Sequence, residues 1–470
     1  MRPCSSRTET AQVTSDSLFE RIVTTDPLLA ATGGEAWLNA MLDAEVALAK
    51  AQAGTGLIPQ EAATAIEAVS RSEDFDLAAI AQGARLGGNP VIPLVEMLRA
   101  KLPSAGRDWV HWGATSQDIL DTAAVLVARR AGRLILDDLA RLASGCASLA
   151  DEHRGTLLTA RTLLQPALPT TFGTKAAGWL FATTESRVLL SASLDNLPAQ
   201  LGGAGGTLAS MGSKGPAVAG SYSAFLGLKA SPMPWQAVRT PLVVLSSALA
   251  IVAGTSAKIA GDVALLMQAE VAEAFEPAAP GRGASSTLPH KRNPVGAAAV
   301  GAAARRCAAL AGTMFESLSG EHERSLVAWP VEWQTLGDLL ALAGGAVARC
   351  AETVNGLEVD VTAMKANLTA RAGALLAENV ALALTGRLGR EASRTAVANA
   401  LEASANSSAS TVAAALLADP AVAAVSTPGE VSKLLEPAEY LGSAEVWIDR
   451  VLSEAADVTA RYESGTTWTT

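Results

Sequence analysis

The chain has 470 residues, of which 49 % are hydrophobic, 4 % aromatic and 17 % charged. That balance excludes an intrinsically disordered protein, because disordered chains combine few apolar residues with an excess of charge. The formal net charge of −10 opposes the phosphate contacts on which nucleic-acid binding depends, so we expect no nucleic acid as a partner.

Cysteine spacing and hydropathy indicate the compartment. The cysteines form no C-x-x-C pair and lie far apart, at Cys4, Cys146, Cys307 and Cys350. This spacing indicates neither a disulfide framework nor a structural zinc site.

Residues 1–17 are polar and predict a poorly ordered tail rather than a signal peptide. The longest apolar stretch, Leu242 to Gly254, falls short of the roughly 20 residues that span a bilayer. We therefore expect a cytoplasmic protein without a membrane segment.

Apolar residues recur at helical spacing almost everywhere from Trp37 onward, and strand-like alternation is scarce. The expected fold class is therefore all-α. The clearest helix starts after Thr115, where Thr115 and Asp118 have the spacing of a capping box. Its pattern continues for about 38 residues to Gly155, or roughly 57 Å at the helical rise per residue.

Four more long helical patterns follow, at residues 172–192, 242–275, 295–318 and 335–357. Long helices carrying dispersed small residues predict a central bundle, flanked by regions with shorter patterns. We therefore expect three domains: an N-terminal helical domain over 1–112, the central bundle over 113–360 and a C-terminal helical domain over 361–470. A helical repeat array is the alternative, and the absence of a fixed period disfavours it.

Three loop-like segments carry polar residues that a helical core does not require. The first, 109–118, places Thr115 and Ser116 at a helix start, where unpaired N–H groups favour an anion, although both could simply cap the helix. His111, considered alone, is more typical of a structural histidine than of a catalyst. The second combines residues 161–169 with the glycine-rich run 201–208, which could be an anion-binding nest or a flexible turn.

The third segment, 281–294, combines glycines, two serines and basic side chains, as expected of a loop that closes over an anionic substrate. It resembles the signature loop of the fumarase/aspartase superfamily, G-S-S-x-M-P-x-K-x-N-P. The matching residues are Ser285, Ser286, Pro289, Lys291, Asn293 and Pro294. Residues 115–118, Arg161-Thr162 with Gln165, and residues 170–173 match the other superfamily blocks in the same order. The resemblance implies a three-domain helical fold and a homotetramer whose active sites each draw on three subunits.

The same resemblance implies a role for each candidate site residue. Ser285 would be the base that removes a proton next to a carboxylate, and Lys291 would help to bind and polarise the substrate. The residues expected to bind substrate are His111, Thr115, Ser116, Arg161, Gln165, Ser286 and Asn293. Arg161 could instead be a structural tether between helix ends. The chemistry requires no metal, nucleotide or organic cofactor. A serine is a poor base unless activated, and we expect the closed loop with Lys291 to activate it.

Two histidines expected from the superfamily resemblance are absent. Adenylosuccinate lyases have His-Asp-Val where this chain has residues 88–91, Gly-Asn-Pro-Val. Fumarases, argininosuccinate lyases and adenylosuccinate lyases have His after Arg-Thr, and this chain has Leu163. Hydroxide, amines and guanidines need a proton as they depart, whereas a carboxylate, with a parent acid of pKa about 4, departs unaided. The bacterial 3-carboxy-cis,cis-muconate cycloisomerases fit this requirement, because an internal carboxylate of their substrate adds to a diene and closes a lactone.

Residues 87–94, 111–118 and 321–333 are also similar to that cycloisomerase branch. The expected substrate is therefore a small tricarboxylate of protocatechuate catabolism, bound in a locally positive site. Two alternatives stay open. One is an adenylosuccinate lyase-like enzyme that releases fumarate from a succinyl adduct. The other is a noncatalytic helical binding protein.

Overall fold

The computed structural model describes residues 18–285, 287–288, 291–405 and 411–464. The predicted N-terminal tail and Ser286 lie outside the described residues. Helices make up most of the described chain, which confirms the all-α fold class.

The chain before the long bundle forms short and medium helices. These are α1 (Glu20–Val23), α2 (Asp26–Thr32), α3 (Gly34–Gly54), α4 (Gln60–Val69), α5 (Leu77–Gly87), α6 (Val91–Lys101) and α7 (Ser104–Arg107). The bundle region contains α8 (Ser116–Glu152), α9 (Phe172–Asp195), α10 (Gly215–Phe225), α11 (Thr240–Leu266), α12 (Val295–Glu316) and α13 (Ala328–Asn355).

The last part of the described chain returns to shorter helices. These are α14 (Val361–Thr369), α15 (Ala372–Leu375), α16 (Ala377–Leu388), α17 (Arg390–Ala405), α18 (Val412–Ala418), α19 (Pro420–Val425), α20 (Pro428–Leu434) and α21 (Ala444–Glu463). Short antiparallel pairs join β1 (Leu157–Thr162) to β2 (Gln165–Thr171) and β3 (Ala274–Phe275) to β4 (Glu358–Val359).

Helix α8 begins at the predicted capping box. The Asp118 carboxylate accepts a hydrogen bond of 3.0 Å from the Thr115 N–H, which satisfies a donor that a helix start otherwise leaves unpaired. The helix runs for 37 residues and packs against α9, α13 and α3. The apolar side chains of Ile119, Ala123 and Leu139 are fully buried, as helical periodicity of the apolar residues requires.

The segment expected to be a loop around Arg161 is instead a β-hairpin. Thr162 pairs with Gln165, so Leu163 and Leu164 form a two-residue turn with φ of 50° and 65°. Such a turn normally takes Asn-Gly, and the two leucines therefore gave no turn signal. The helical pattern predicted over 242–275 is longer than the helix that forms. Helix α11 ends at Leu266, and residues 274–275 form strand β3, which pairs with β4.

Most of the buried apolar residues form two clusters. One extends from Leu28 to Met364 and includes Ile448 from α21. The other lies among α16 to α20, between Val380 and Val431. The division into three domains at 112/113 and 360/361 stays a prediction. Helix α11 is long and apolar enough to cross a membrane, but 56 % of its most apolar window is buried in the protein, as in a core helix.

The bundle has two ends that matter for function. At one end, which we call the Thr115 end, Arg239 joins Asp121 near the start of α8 to Glu332 near the start of α13. At the other end, the Ser285 end, the Glu276 carboxylate accepts hydrogen bonds from the N–H groups of residues 296 and 297 and so caps α12. Asn355, at the end of α13 and close to the start of α12, donates a hydrogen bond to the carbonyl of Arg141 in α8. Arg141 follows Thr115 by 26 residues, so the two ends lie about 40 Å apart.

Candidate active site

The start of α8 carries a guanidinium beside the predicted anion site. Arg324 donates hydrogen bonds of 3.0 Å to Thr115 Oγ1 and 3.0 Å to Gln117 Oε1. Ser116, the first residue of α8, is half-buried next to them. A helix start with two hydroxyls and a cation favours a carboxylate ligand. Sequence reasoning missed Arg324 as a site residue, since it lies about 200 residues from Thr115 in a stretch noted only for its resemblance.

His111 lies at the same end in a left-handed backbone conformation, with φ of 59°. Its Nδ1 donates to Glu45 Oε1 at 2.6 Å, and the Glu45 side chain is only 1 % exposed. Burial is the largest single effect and disfavours the charged imidazole. The charge and hydrogen bond of Glu45, together with the charge of Asp118, outweigh it, so the pKa of His111 is raised above its ordinary value. The structure thus places His111 within reach of the helix start, paired with a buried carboxylate.

The glycine-rich run is tied to α8 through Asp118. The Asp118 carboxylate accepts hydrogen bonds from Gly202 N–H at 2.7 Å and Gly203 N–H at 2.9 Å, and from Gln200 Nε2 at 3.1 Å. Burial raises the pKa of Asp118 to about 6, and its N–H donors oppose the rise. These two glycine amides therefore form an anion nest whose anion is a side chain of the same protein.

The signature loop lies at the Ser285 end. Ser285 Oγ accepts hydrogen bonds from the N–H groups of Leu288 at 3.0 Å and Thr287 at 3.3 Å. Asn293 closes the stem of the loop, donating from its backbone N–H and from Nδ2 to the Gly283 carbonyl at 3.0 and 2.9 Å. The Lys291 side chain is exposed. Two N–H donors aimed at the serine oxygen favour a negative charge on that oxygen.

The hairpin lies at the same end and carries Arg161 and Gln165. Arg161 forms two hydrogen bonds of 2.8 Å with the carboxylate of Glu273, which is fully buried and also accepts from Asn367 Nδ2 at 2.8 Å. Gln165 is exposed, and Leu163 at the tip of the turn is 97 % exposed. The geometry of Arg161 suits a tether, and a quarter of its side chain stays accessible to a ligand.

The predicted site residues therefore fall into two groups within one chain. His111, Thr115 and Ser116 lie at the Thr115 end, and Arg161, Gln165, Ser285, Lys291 and Asn293 lie at the Ser285 end. About 40 Å of helix separates the groups, and a small tricarboxylate spans only a fraction of that distance. Within the described ranges, no three His, Cys, Asp or Glu side chains converge as metal ligands.

This long-helix fold, with a Ser-containing loop at one end, is that of the fumarase/aspartase class of lyases. A model of the lyase family matches residues 20–308, and one of the adenylosuccinate lyase C-terminus matches residues 373–451. The chain belongs to the lyase family, within the fumarase/aspartase superfamily, as the signature loop predicted. This membership is consistent with a small carboxylate substrate and with oligomeric assembly.

Particular relatives narrow the similarity. The chain is 42 % identical over 447 residues to 3-carboxy-cis,cis-muconate cycloisomerase of Bradyrhizobium diazoefficiens, covering 93 % of this chain and 97 % of that protein. It is 42 % identical over 455 residues to nitrosuccinate lyase of Streptomyces davaonensis, covering 94 % and 96 %. The crystal structure of the 3-carboxy-cis,cis-muconate lactonizing enzyme from Pseudomonas putida matches with a TM-score of 0.87 and 40 % identity, over 94 % and 99 % of the two chains.

Proposed function

We propose that this protein is a cycloisomerase that interconverts 3-carboxy-cis,cis-muconate and 4-carboxymuconolactone in protocatechuate catabolism. One observation carries the proposal: the signature loop with Ser285 is intact, while Leu163 occupies the position at which related lyases have a proton-donating histidine. A reaction whose leaving group is a carboxylate does not need that proton. The 42 % identity to a cycloisomerase over almost the whole chain supports the same reaction.

In this reaction Ser285 moves the proton at the carbon next to a carboxylate. In the lactone-opening direction, Ser285 Oγ takes that proton and the ring C–O bond breaks to release the internal carboxylate. In the closing direction, the carboxylate attacks the diene and Ser285 returns the proton. The N–H groups of Leu288 and Thr287 contribute to stabilising the charged serine oxygen, and Lys291 stabilises the dianionic intermediate.

The opposite end of the bundle supplies groups that hold substrate carboxylates. Thr115, Ser116 and His111 surround the start of α8, and Arg324 adds a permanent positive charge. Such local charge attracts a trianion to a protein of net charge −10, because salt screens the remaining charges over about 10 Å.

A homotetramer brings the two ends together, with each site shared between three subunits. The separation of about 40 Å supports this assembly, since a site of ordinary size cannot draw on both ends of one chain. The exposed face of α11 supports it as well. Val244, Ile251 and Leu265 lie at multiples of seven residues and are 47 %, 49 % and 43 % exposed, as expected of a helix face that packs against another copy.

A cytoplasmic location fits the cysteines. Cys146, Cys307 and Cys350 are buried and unpaired by disulfides, which agrees with a reducing compartment.

Nitrosuccinate elimination is a second candidate, favoured by the 42 % identity to a nitrosuccinate lyase. Nitrite is also a stable anion, so its departure from nitrosuccinate would need no protonation and would suit Leu163 equally well. The adenylosuccinate lyase-like alternative is less favoured, because its amine leaving group needs a proton donor.

Direct assays separate these reactions. Purified protein is incubated with 3-carboxy-cis,cis-muconate, nitrosuccinate or adenylosuccinate, with loss of diene absorbance, nitrite release and fumarate formation as the readouts. The proposal predicts turnover of the carboxymuconate at a kcat/KM at least tenfold above the other two. Faster release of nitrite would assign the second function, and turnover of adenylosuccinate alone would overturn both.

A further inference from the structure

The strongest unassigned feature is the pair formed by Glu45 in the middle of α3 and His111 in the loop before α8. The Glu45 side chain is 1 % exposed, yet its Oε1 lies 2.6 Å from His111 Nδ1. Its second oxygen, Oε2, is buried and has no hydrogen-bond donor among the described residues. His111 is therefore the group that compensates the charge of this buried carboxylate.

Burying a carboxylate without a cationic partner is costly, so the pair is most stable with an imidazolium on His111. The backbone of His111 also lies in the left-handed region, with φ of 59°. A non-glycine residue is strained in that region and persists there only where its surroundings hold it. The hydrogen bond to Glu45 holds the imidazole ring of His111 in place.

We propose that Glu45 is a positioning residue that keeps His111 protonated and oriented, so that its Nε2–H binds a carboxylate of the substrate at neutral and alkaline pH. Glu45 does not itself contact the substrate. The proposal rests on the proposed function in one respect, namely that His111 faces a polycarboxylate ligand.

Other charged groups face the same imidazole. Asp118 in the first turn of α8 favours its protonation, and Arg99 in α6 opposes it. Tyr222 in α10 faces Glu45 and Asp118. Asp118 is already engaged by N–H donors of the glycine-rich run and lies further from the ring than hydrogen-bond distance. Glu45 is thus the direct partner, and its removal is expected to change the charge of His111 most.

The test compares the wild type with Glu45→Gln, which keeps the size of the side chain and removes its charge. Asp43→Asn is the matched control, because it removes the same charge from α3 at a half-exposed position paired with Arg130. Binding of tricarballylate is measured by calorimetry at pH 8 and pH 5.5. At pH 8, Glu45→Gln is expected to raise Kd about tenfold, the loss of one charge-assisted contact, and Asp43→Asn to change it less than twofold.

The pH dependence distinguishes this role from a structural one. At pH 5.5 the higher proton activity restores part of the imidazolium in Glu45→Gln against the effect of burial, so the ratio of its Kd to that of the wild type is expected to be smaller than at pH 8. A ratio that stays constant between the two pH values, or a Kd at pH 8 equal to that of the wild type, would overturn the proposal.

A second measurement needs no variant at Glu45 and no turnover. NMR of protein labelled with ¹³C-histidine, with His111→Gln to assign the signal, follows the protonation of His111 directly. The proposal expects His111 to remain protonated at a pH at which the histidine of an unstructured model peptide has lost its proton. Titration of His111 at or below the pH of that model peptide would overturn it, whatever reaction the enzyme catalyses. Inactivity in the substrate assays together with a protonated His111 would instead reject the proposed function alone.

Discussion

The contact between Arg161 and Glu273 allows a prediction of both stability and substrate binding. Glu273 is fully buried and receives two hydrogen bonds from Arg161 and one from Asn367, all at 2.8 Å. Arg161→Met leaves that carboxylate buried with a single neutral donor. Breaking a buried pair in this way costs about 3–5 kcal/mol. Because the Arg161 side chain is 26 % exposed, we expect the lower limit of about 3 kcal/mol.

Urea unfolding followed by circular dichroism measures this loss. The double variant Arg161→Met/Glu273→Gln removes both charges, and its unfolding free energy is expected to return to within about 1 kcal/mol of the wild type, since no unpaired charge is left. An Arg161→Met protein as stable as the wild type would refute the reasoning, as would a double variant less stable than either single variant.

The same double variant separates the two roles considered for Arg161. If Arg161 is only a tether, KM recovers together with stability. If Arg161 also binds a substrate carboxylate, as the superfamily resemblance implies, KM stays about tenfold or more above that of the wild type although the fold is restored.

Three further predictions concern the signature loop and the hairpin. Ser285→Ala is expected to lower kcat at least about a thousandfold with an unchanged melting temperature, as is typical when an enzyme loses an acid–base group. Near wild-type turnover would exclude Ser285 as the base. Gly283→Ala is expected to lower kcat/KM by about tenfold or more, because Gly283 has φ of 64° and an added Cβ would lie 2.5 Å from the Asn293 carbonyl oxygen; an unchanged kcat/KM would show that the loop stem can adapt. Leu163→Ala is expected to raise KM without removing a limb of the pH–rate profile, since Leu163 donates no proton, and a lost limb would contradict this.

The long helices could be predicted from sequence because their signals are local. Thr115 and Asp118 mark the start of α8, and the apolar periodicity continues for its whole length. The hairpin escaped prediction because Leu163 and Leu164 adopt left-handed conformations that their residue type disfavours. The pairing of β1 with β2 leaves only these two residues for the turn and so imposes the left-handed conformations.

The candidate site was predictable only as a set of segments. Motif spacing identified Ser285 and Thr115, but the sequence contains no signal that they lie at opposite ends of a bundle. The partners Glu45 and Arg324 were missed for a related reason, since each reaches the Thr115 end from a distant part of the chain. Such long-range pairs depend on how helices pack, and a single sequence does not encode them as a local pattern.

The central claim is that one active site combines the Thr115 end of one subunit with the Ser285 end of another. Coexpression of Thr115→Val and Ser285→Ala chains carrying different tags, followed by purification through both tags, tests it most directly. Each variant alone is expected to be inactive, whereas random mixed assemblies regain about a quarter of the wild-type sites, because that share draws both ends from intact chains. Mixed assemblies as inactive as the single variants would contradict the claim.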